Sequence, residues 1–558
     1  MAVLKIGEYR PDINDLNQPF TQMVNNVLPQ LDGYGPVKSL EGFTYALPSQ
    51  CRGYFYAEKT DGSVALFAAT STKLYLLENS TFSWTDVSKA GGSYTALLSS
   101  ANWTFAQFND VVIACQANEP PQRFTLTSSS EFSDLGGSPP QAAYVAVVNR
   151  YLVLSGLSND SNTVQWCDLN DIEQWSTGDA DSQTLPSGGA TRGVVGGEFG
   201  IIIQATEVRR MIFSPGSDAI FQIDRIAKGL GTFAPYSIVD NGGLVYFLSA
   251  KGFVSIDQSG GITYIGREKI DRTFVAEYDT GEPQLVVGVA DPSSNIVSWQ
   301  YKTQGGSQTY ADKMLCYDHL LGRWSPVSVQ SEYMATAAKP GLTLENLDEI
   351  GSEPVTGTAD NGGGEIRLTV ADSSSYTTGE TRVVADVGGT TEANGSWDIT
   401  VIDATHIDLD GSAYSNAWTS GGYLSSSVDD LPFSLDDVST ASLLQFSQFS
   451  SDHILGFFNG PNMEATAETS ERSAVARRMF IRGVYPITDA TAVYGSIAAR
   501  ENKTSAPAYS SEQVSNNEGF CPARVSTRHA RSKLRIPAGE LWSYISGVEP
   551  IAGAGGRR

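Results

Sequence analysis

Apolar residues in this chain come in short runs, separated by Gly, Pro, Asn and Asp. The stretch from Gly193 to Asp257 sets the pattern. Ile201-Ile202-Ile203 is answered by Met211-Ile212-Phe213, and Phe221 and Ile223 alternate with polar neighbours. Leu244 to Leu248 is a further apolar run; Lys251-Gly252 turns the chain, and Phe253 to Ile256 returns. Runs of about four to six residues, rich in β-branched and aromatic side chains and bounded by turn formers, predict strands. None has the length or the 3.6-residue period of a helix. The pattern predicts an all-β chain.

The runs recur in a fixed context. Lys73-LYLLENSTFS-Trp84 parallels Lys313-MLCYDHLLGR-Trp324, and Val164-QWCDLNDIEQ-Trp175 is a third, looser copy. A second phrase precedes apolar strands: Phe105-AQFNDVVIAC, Val145-AVVNRYLVLSG and Ile238-VDNGGLVYFLS. Turns fall near Asp61-Gly62, Asn109, Asn149, Gly196-Gly197, Asn241 and Asn295. A spacing of about 40 to 55 residues, with four short strands per unit, predicts propeller blades. Each recurrent Trp is then a wedge between blades, since burying one removes about 200 Å² from water. A series of β-sandwiches is the competing account of the same spacing.

The expected fold class is therefore all-β: an irregular β-propeller of about six or seven blades, with a platform from the N- and C-terminal strands and an inserted small β domain. The boundaries read as follows. Residues 1–50 form an N-terminal arm, with Tyr34 between two glycines as its anchor. Residues 51–353 are the main part of the propeller, ending in a short helix at 341–352. Residues 354–427 change to Thr, Ser, Gly and Asp and read as a compact hairpin domain, with Asn394-Gly395 as a hairpin turn. Inserting about 70 residues in a surface loop costs little closure entropy. Residues 428–471 supply propeller-closing strands, and 472–558 a basic β-sandwich.

Charge adds an asymmetry. The chain of 558 residues carries a formal net charge of −25, which argues against broad binding to nucleic acid or anionic membrane. From Arg472 to Arg558 there are 13 basic and 6 acidic residues. That segment, with Arg477-Arg478 and Arg528 to Arg535, is a candidate docking surface or else a solvated basic face. Its removal is expected to leave a folded propeller. Cys51, Cys115, Cys167, Cys316 and Cys521 are isolated and odd in number, reading as free thiols of a reducing compartment. The N-terminus has no apolar signal core, and no run of about 18 apolar residues spans a membrane.

The search for chemistry yields no catalytic, cofactor or metal site. Lys228-Gly-Leu-Gly231 reads as a glycine turn rather than a phosphate cradle. His319, His406, His453 and His529 are scattered singly, without metal-ligand spacing. Asp179 with Asp181, and Asp408 with Asp410, are candidate calcium ligands or glycosidase carboxylates, against the plainer reading of solvated turns.

Several phrases, in this order, resemble the tail nozzle proteins of short-tailed bacteriophages, also called tail hub or packaged-DNA stabilisation proteins. They are Asn26-Val-Leu-Pro29 with Asp32-Gly-Tyr-Gly-Pro36, Asp168-LNDIEQ-Trp175, Gly229-LGTFA-Pro235, Asp430-LPFSLD-Asp437, Asp452-HILGFFNGPNMEATAETS-Glu471 and Gly519-FCPARVST-Arg528. The resemblance implies a structural virion protein and no enzyme: a ring, usually of six copies, below the portal and adaptor. Such a ring extends the tail channel, retains packaged double-stranded DNA and opens on infection. It implies assembly in the bacterial cytoplasm and contacts with tail fibres or a tail needle. The insert resembles a small β module of other phage tail proteins and of ubiquitin-activating enzyme, which makes it a candidate for host-surface contact. The alternative is a carbohydrate-binding or glycan-degrading propeller acting as a receptor-binding adhesin.

Overall fold

The computed structural model describes the chain except residues 1–2, 61, 80, 217–219, 339–352, 375, 426–443, 475–477 and 555–558. Residues 54–86 form a four-stranded antiparallel meander, Tyr54–Glu58, Val64–Ala69, Leu74–Leu77 and Trp84–Asp86. The same unit recurs at 104–134, 142–184, 191–228 and 239–264. A sixth contains Val287–Ala290, Ile296–Tyr301 and Ala311–Asp318, and the first half of the 16-residue strand Arg323–Ala338. The second half of that strand opens a seventh unit. There Tyr333 to Ala338 pairs with Leu444–Ser450, which pairs with Leu455–Phe457. The last strand comes from the other end of the chain: Glu41–Gly42 pairs with Phe457 and Gly456. Among the described residues the molecule is thus a seven-bladed β-propeller, closed by an N-terminal strand.

The turns read from sequence are the loops between the first and second strands of blades 1 to 6. Asn109 and Asn149 take the left-handed conformation, φ 53° and 56°, that a two-residue hairpin requires. In blade 7 the corresponding loop holds residues 339–443. The expected helix at 341–352 and the Asp430 to Asp437 phrase lie outside the described residues.

Each recurrent Trp packs on the preceding blade. Trp324 of blade 6 is fully buried; its ring centroid lies 5.1 Å from that of Phe253 in blade 5, and its indole N–H donates to Ile265 O at 3.0 Å. Trp175 shares a core with Cys115 and Leu135 of blade 2. Trp84 lies against Phe449 of blade 7, ring centroids 5.7 Å apart. A blade is apolar on both faces, so only a closed ring removes all of that surface from water.

The inserted residues form a closed six-stranded barrel rather than a set of hairpins: Glu353–Asp360, Ile366–Val370, Thr381–Ala385, Gly395–Asp403, His406–Leu409 and Tyr423–Leu424. Its first and last strands pair, Glu353 with Leu424, so entry and exit are adjacent and the barrel fits into a loop. Asn394-Gly395 is not a two-residue hairpin turn. Residues 386–394 form a longer connection, which the Asn394 side chain clamps by bonding Val387 N and O at 2.9 and 3.1 Å.

The platform is a two-sheet sandwich shared by both termini. One sheet runs Cys521–Thr527, Met479–Thr488, Ile545–Ala554, Gly33–Pro36, Val27–Gln30; the other is built around His529–Ile536, flanked by Ala465–Glu468 and Tyr494–Arg500. Ala465–Glu468, expected among the propeller-closing strands, therefore belongs to the sandwich, while Glu41–Gly42 of the arm belongs to blade 7. Tyr34 is fully buried, its hydroxyl donating to Gly7 O at 2.9 Å.

The sandwich is not separable from the propeller. A single core runs from Val27, Tyr34, Ile481 and Leu534 through Phe253, Phe274, Trp299 and Trp324. Removal of residues 472–558 would strip one side of that core, contrary to the expectation of an intact propeller. Trp324→Ala is expected to lower stability by about 3–5 kcal/mol, and Trp84→Ala, half-exposed, by less. Urea midpoints of the two variants check this, and an unchanged midpoint in Trp324→Ala would contradict its inter-blade role.

Candidate functional site

The first strands of all seven blades converge on the propeller axis around a cavity of about 370 Å³. Phe55, Phe105, Tyr144, Arg192, Ile238, Val287 and Tyr333 contribute one lining residue from each blade. Phe55 and Phe105 stack at 5.8 Å, and Tyr144 and Tyr236 lie 6.4 Å apart. Aromatic rings thus line much of the axis. The Tyr236 hydroxyl accepts from Asn102 N at 2.6 Å and donates to Asn102 O at 3.2 Å. Its burial holds the phenol well above its ordinary pKa. Beside it, Arg52 donates to Asn102 Oδ1 at 2.9 Å and to Ser99 O at 2.9 Å. Arg192 and Tyr144 both line this cavity. Among the residues named here no nucleophile stands beside a base; the cavity offers apolar packing and a guanidinium.

A second convergence lies where the ring closes. Glu332 sits at the register break between blades 6 and 7, with 4% of its surface exposed. One carboxylate oxygen is 2.7 Å from His453 Nδ1, and the other accepts from Cys51 N at 2.9 Å. His453, at φ 67°, forms the turn between two strands of blade 7, and Cys51 leads into blade 1. One side chain therefore ties three segments. Burial outweighs both hydrogen bonds and raises the Glu332 carboxyl to about 7.

The residues weighed from sequence are not brought together. Asp179 accepts from the Tyr151 hydroxyl at 3.0 Å, whereas Asp181 is exposed and accepts from Ser182 N. Asp408 is held by Arg367 at 2.6 and 2.9 Å, whereas Asp410 accepts from the Thr400 hydroxyl at 3.1 Å. His406 pairs with Asp403 at 2.8 Å; His319 sits in the turn after Ala311–Asp318; His529 is buried in the sandwich. Among the described residues no group of three or more His, Cys, Asp or Glu is arranged for a metal. The five cysteines are buried and unpaired. Gly231 is needed for contact: a Cβ there would lie 2.2 Å from Gln204 O. The Glu332–His453 pair escaped sequence reasoning because its partners are 121 residues apart.

The basic C-terminal segment is largely paired within the fold. Arg500 grips Glu471 with two bonds of 2.6 Å, Arg531 meets Asp15 at 3.0 Å, and Arg535 meets Glu464 and Glu512 at 2.9 and 2.8 Å. Lys533 lies over the Tyr509 ring. The expected docking surface between Arg528 and Arg535 is thus mostly committed to internal carboxylates; Arg477 is outside the described residues.

No family model and no curated protein matches the sequence. Among solved structures, the extracellular domain of a hybrid two-component system from B. thetaiotaomicron is similar over 60% of this chain at 9% identity and a TM-score of 0.37; the chain spans 44% of that domain's length. BamB from Moraxella catarrhalis is similar over 69% of this chain and 94% of its own, at 10% identity and a TM-score of 0.29. The computationally designed Ika8 protein is similar over 68% and 99%, at 11% identity and a TM-score of 0.31.

The raised Glu332 carboxyl gives a signed pH dependence. A carboxyl that titrates higher folded than unfolded binds its proton more tightly in the folded state. Its contribution to stability is complete below the unfolded value near 4.5 and is lost as pH rises through about 7. Glu332→Gln is expected to gain in Tm relative to the parent chain between pH 5 and pH 8. A difference in Tm that stays constant across that range would contradict the assignment.

Proposed function

We propose that this chain is a structural virion protein, the subunit of the distal ring, or nozzle, of a short phage tail. In this reading it assembles as a homohexamer on the adaptor and portal, extends the DNA channel, retains packaged DNA until infection and guides its ejection. The observation that carries the reading is where the resembling phrases fall. The Val27–Gln30 and Gly33–Pro36 hairpin, the run from Asp452 to Glu471, and the strand Cys521–Thr527 all belong to the sandwich or to the passage into it from blade 7. Three of the five phrases on described residues thus meet at the joint between two bodies sharing one core, which a free-standing propeller does not need; Asp168 to Trp175 lies in blade 3 and Gly229 to Pro235 between blades 4 and 5.

The axis of a single propeller supports a further specification. Its cavity of about 370 Å³, crossed by stacked rings, has no room for duplex DNA. The conduit in this reading runs between copies of the chain, down the centre of the ring. Its walls draw on a chain whose net charge is −25. Acidic walls repel phosphate and avoid the counterion release by which Lys and Arg contacts hold DNA. A conduit needs to contain its cargo without binding it.

Electron microscopy and mass photometry of the purified chain test this. Rings with a central channel, near six times 59.7 kDa, are expected, together with no retardation of duplex DNA at physiological salt. A protein that stays monomeric at every concentration, fails to join portal–adaptor complexes and melts higher with a glycan would overturn the reading in favour of the carbohydrate-binding alternative.

A further inference from the structure

Two surfaces of this chain differ in charge; among the described residues the sandwich face holds two exposed arginines and Glu549, the barrel face only carboxylates. On the outward face of the sandwich, Arg482 and Arg524 are exposed on adjacent strands. A bulge between Ile481 and Gly483 sets Arg482 against the Ala523–Arg524 step. Like charges facing each other across strands repel. Arg500, Arg531 and Arg535 of the same sandwich each have a carboxylate partner. Arg482 and Arg524 have none within ion-pair distance among the described residues. Phe480 and Ile551, 37% and 41% exposed, share this face.

The inserted barrel is the converse. Residues 353–424 contain 11 acidic and 2 basic residues. Both arginines are consumed inside the barrel, Arg367 by Asp408 and Arg382 by Glu380. On its outward face Asp398 and Asp410 are exposed and, among the described residues, have only threonine hydroxyls as side-chain partners, Thr381 and Thr400. Val383, 48% exposed, stands diagonal to Asp398 on the neighbouring strand, and Ile402, 44% exposed, lies four residues further along the strand of Asp398. A pair of carboxylates beside one exposed valine on the barrel is opposite in charge to the pair of arginines beside Phe480 and Ile551 on the sandwich. Among the described residues no ion pair joins the two surfaces within one chain.

We propose that the Arg482–Arg524 face receives the inserted barrel of a second copy of this chain, through Asp398 and Asp410. The contact is head-to-tail, so repetition closes a ring or extends a filament. It rests on the ring reading above and gives the insert a role in assembly.

Full-length Arg482→Glu/Arg524→Glu, Asp398→Lys/Asp410→Lys and the combined fourfold variant separate the possibilities, each checked for unchanged melting. Self-association of the parent chain by mass photometry is expected to weaken as salt rises. Each double variant is expected to associate at least tenfold more weakly, and the fourfold variant, with both charges exchanged, to recover. Double variants that assemble like the parent would overturn this contact and leave the ring reading standing. A parent chain that is monomeric alone and on portal–adaptor complexes would overturn both. A cross-link between cysteines placed at positions 524 and 410 that forms only within one chain would overturn the inter-copy contact.

Discussion

Closure of the propeller is the constraint on which the rest of this structure depends. Every blade presents apolar surface to both neighbours, and the ring leaves none uncovered only when blade 7 meets blade 1. The chain closes with few residues. Glu41–Gly42 completes blade 7, and Phe43, Leu47 and Cys51 enter the core that blades 7 and 1 share. Glu332 bonds across the same seam. The same N-terminal segment that is fixed at the seam contributes Leu4–Lys5, Val27–Gln30 and Gly33–Pro36 to the sandwich. Closure and platform are two uses of one stretch of chain.

This explains why the sequence was legible in some places and opaque in others. Blades 1 to 6 announce themselves because each has local turn chemistry. Asn109, Asn149 and the Gly-rich turns stand between strands that pair with their neighbours in sequence. The tryptophans repeat because every blade interface needs a large apolar filler. Blade 7 carries no such signal. Its first strand continues blade 6 without a turn, so the 16 residues of Arg323–Ala338 read as one run. Its second strand follows after more than a hundred residues, and its last strand is two residues long. Periodicity cannot register an element of two residues. The insert was visible through composition alone, and its closure into a barrel depends on the pairing of Glu353 with Leu424, which no local pattern encodes.

The basic terminal segment teaches a related lesson. A count of charges does not say where their partners lie. Asp15 comes from the N-terminal arm and Glu464, Glu468 and Glu471 from the passage out of blade 7, all remote in sequence from Arg500, Arg531 and Arg535. Folding brings them together. Asp15, Glu468 and Glu471 are each at most 2% exposed, and burial raises the carboxyls of Asp15 and Glu468. Ionising such groups costs several kcal/mol in desolvation, which a paired arginine offsets. The network is therefore weak as a source of net stability. Its consequence is specificity: removing one partner leaves a charge buried alone, so arm, passage and C-terminal strands fit in one arrangement.

The same reasoning locates function away from the blades. Aromatic rings line much of the propeller axis, hydrophobic residues fill the interfaces between blades, and buried ion pairs join the sandwich strands. The inserted barrel and the outward face of the sandwich stand outside these cores. The barrel stands in the loop between the first and second strands of blade 7, the position that short turns occupy in blades 1 to 6. The propeller thus carries two additions to its ring: a sandwich built from both termini and a barrel inserted between two strands of one blade.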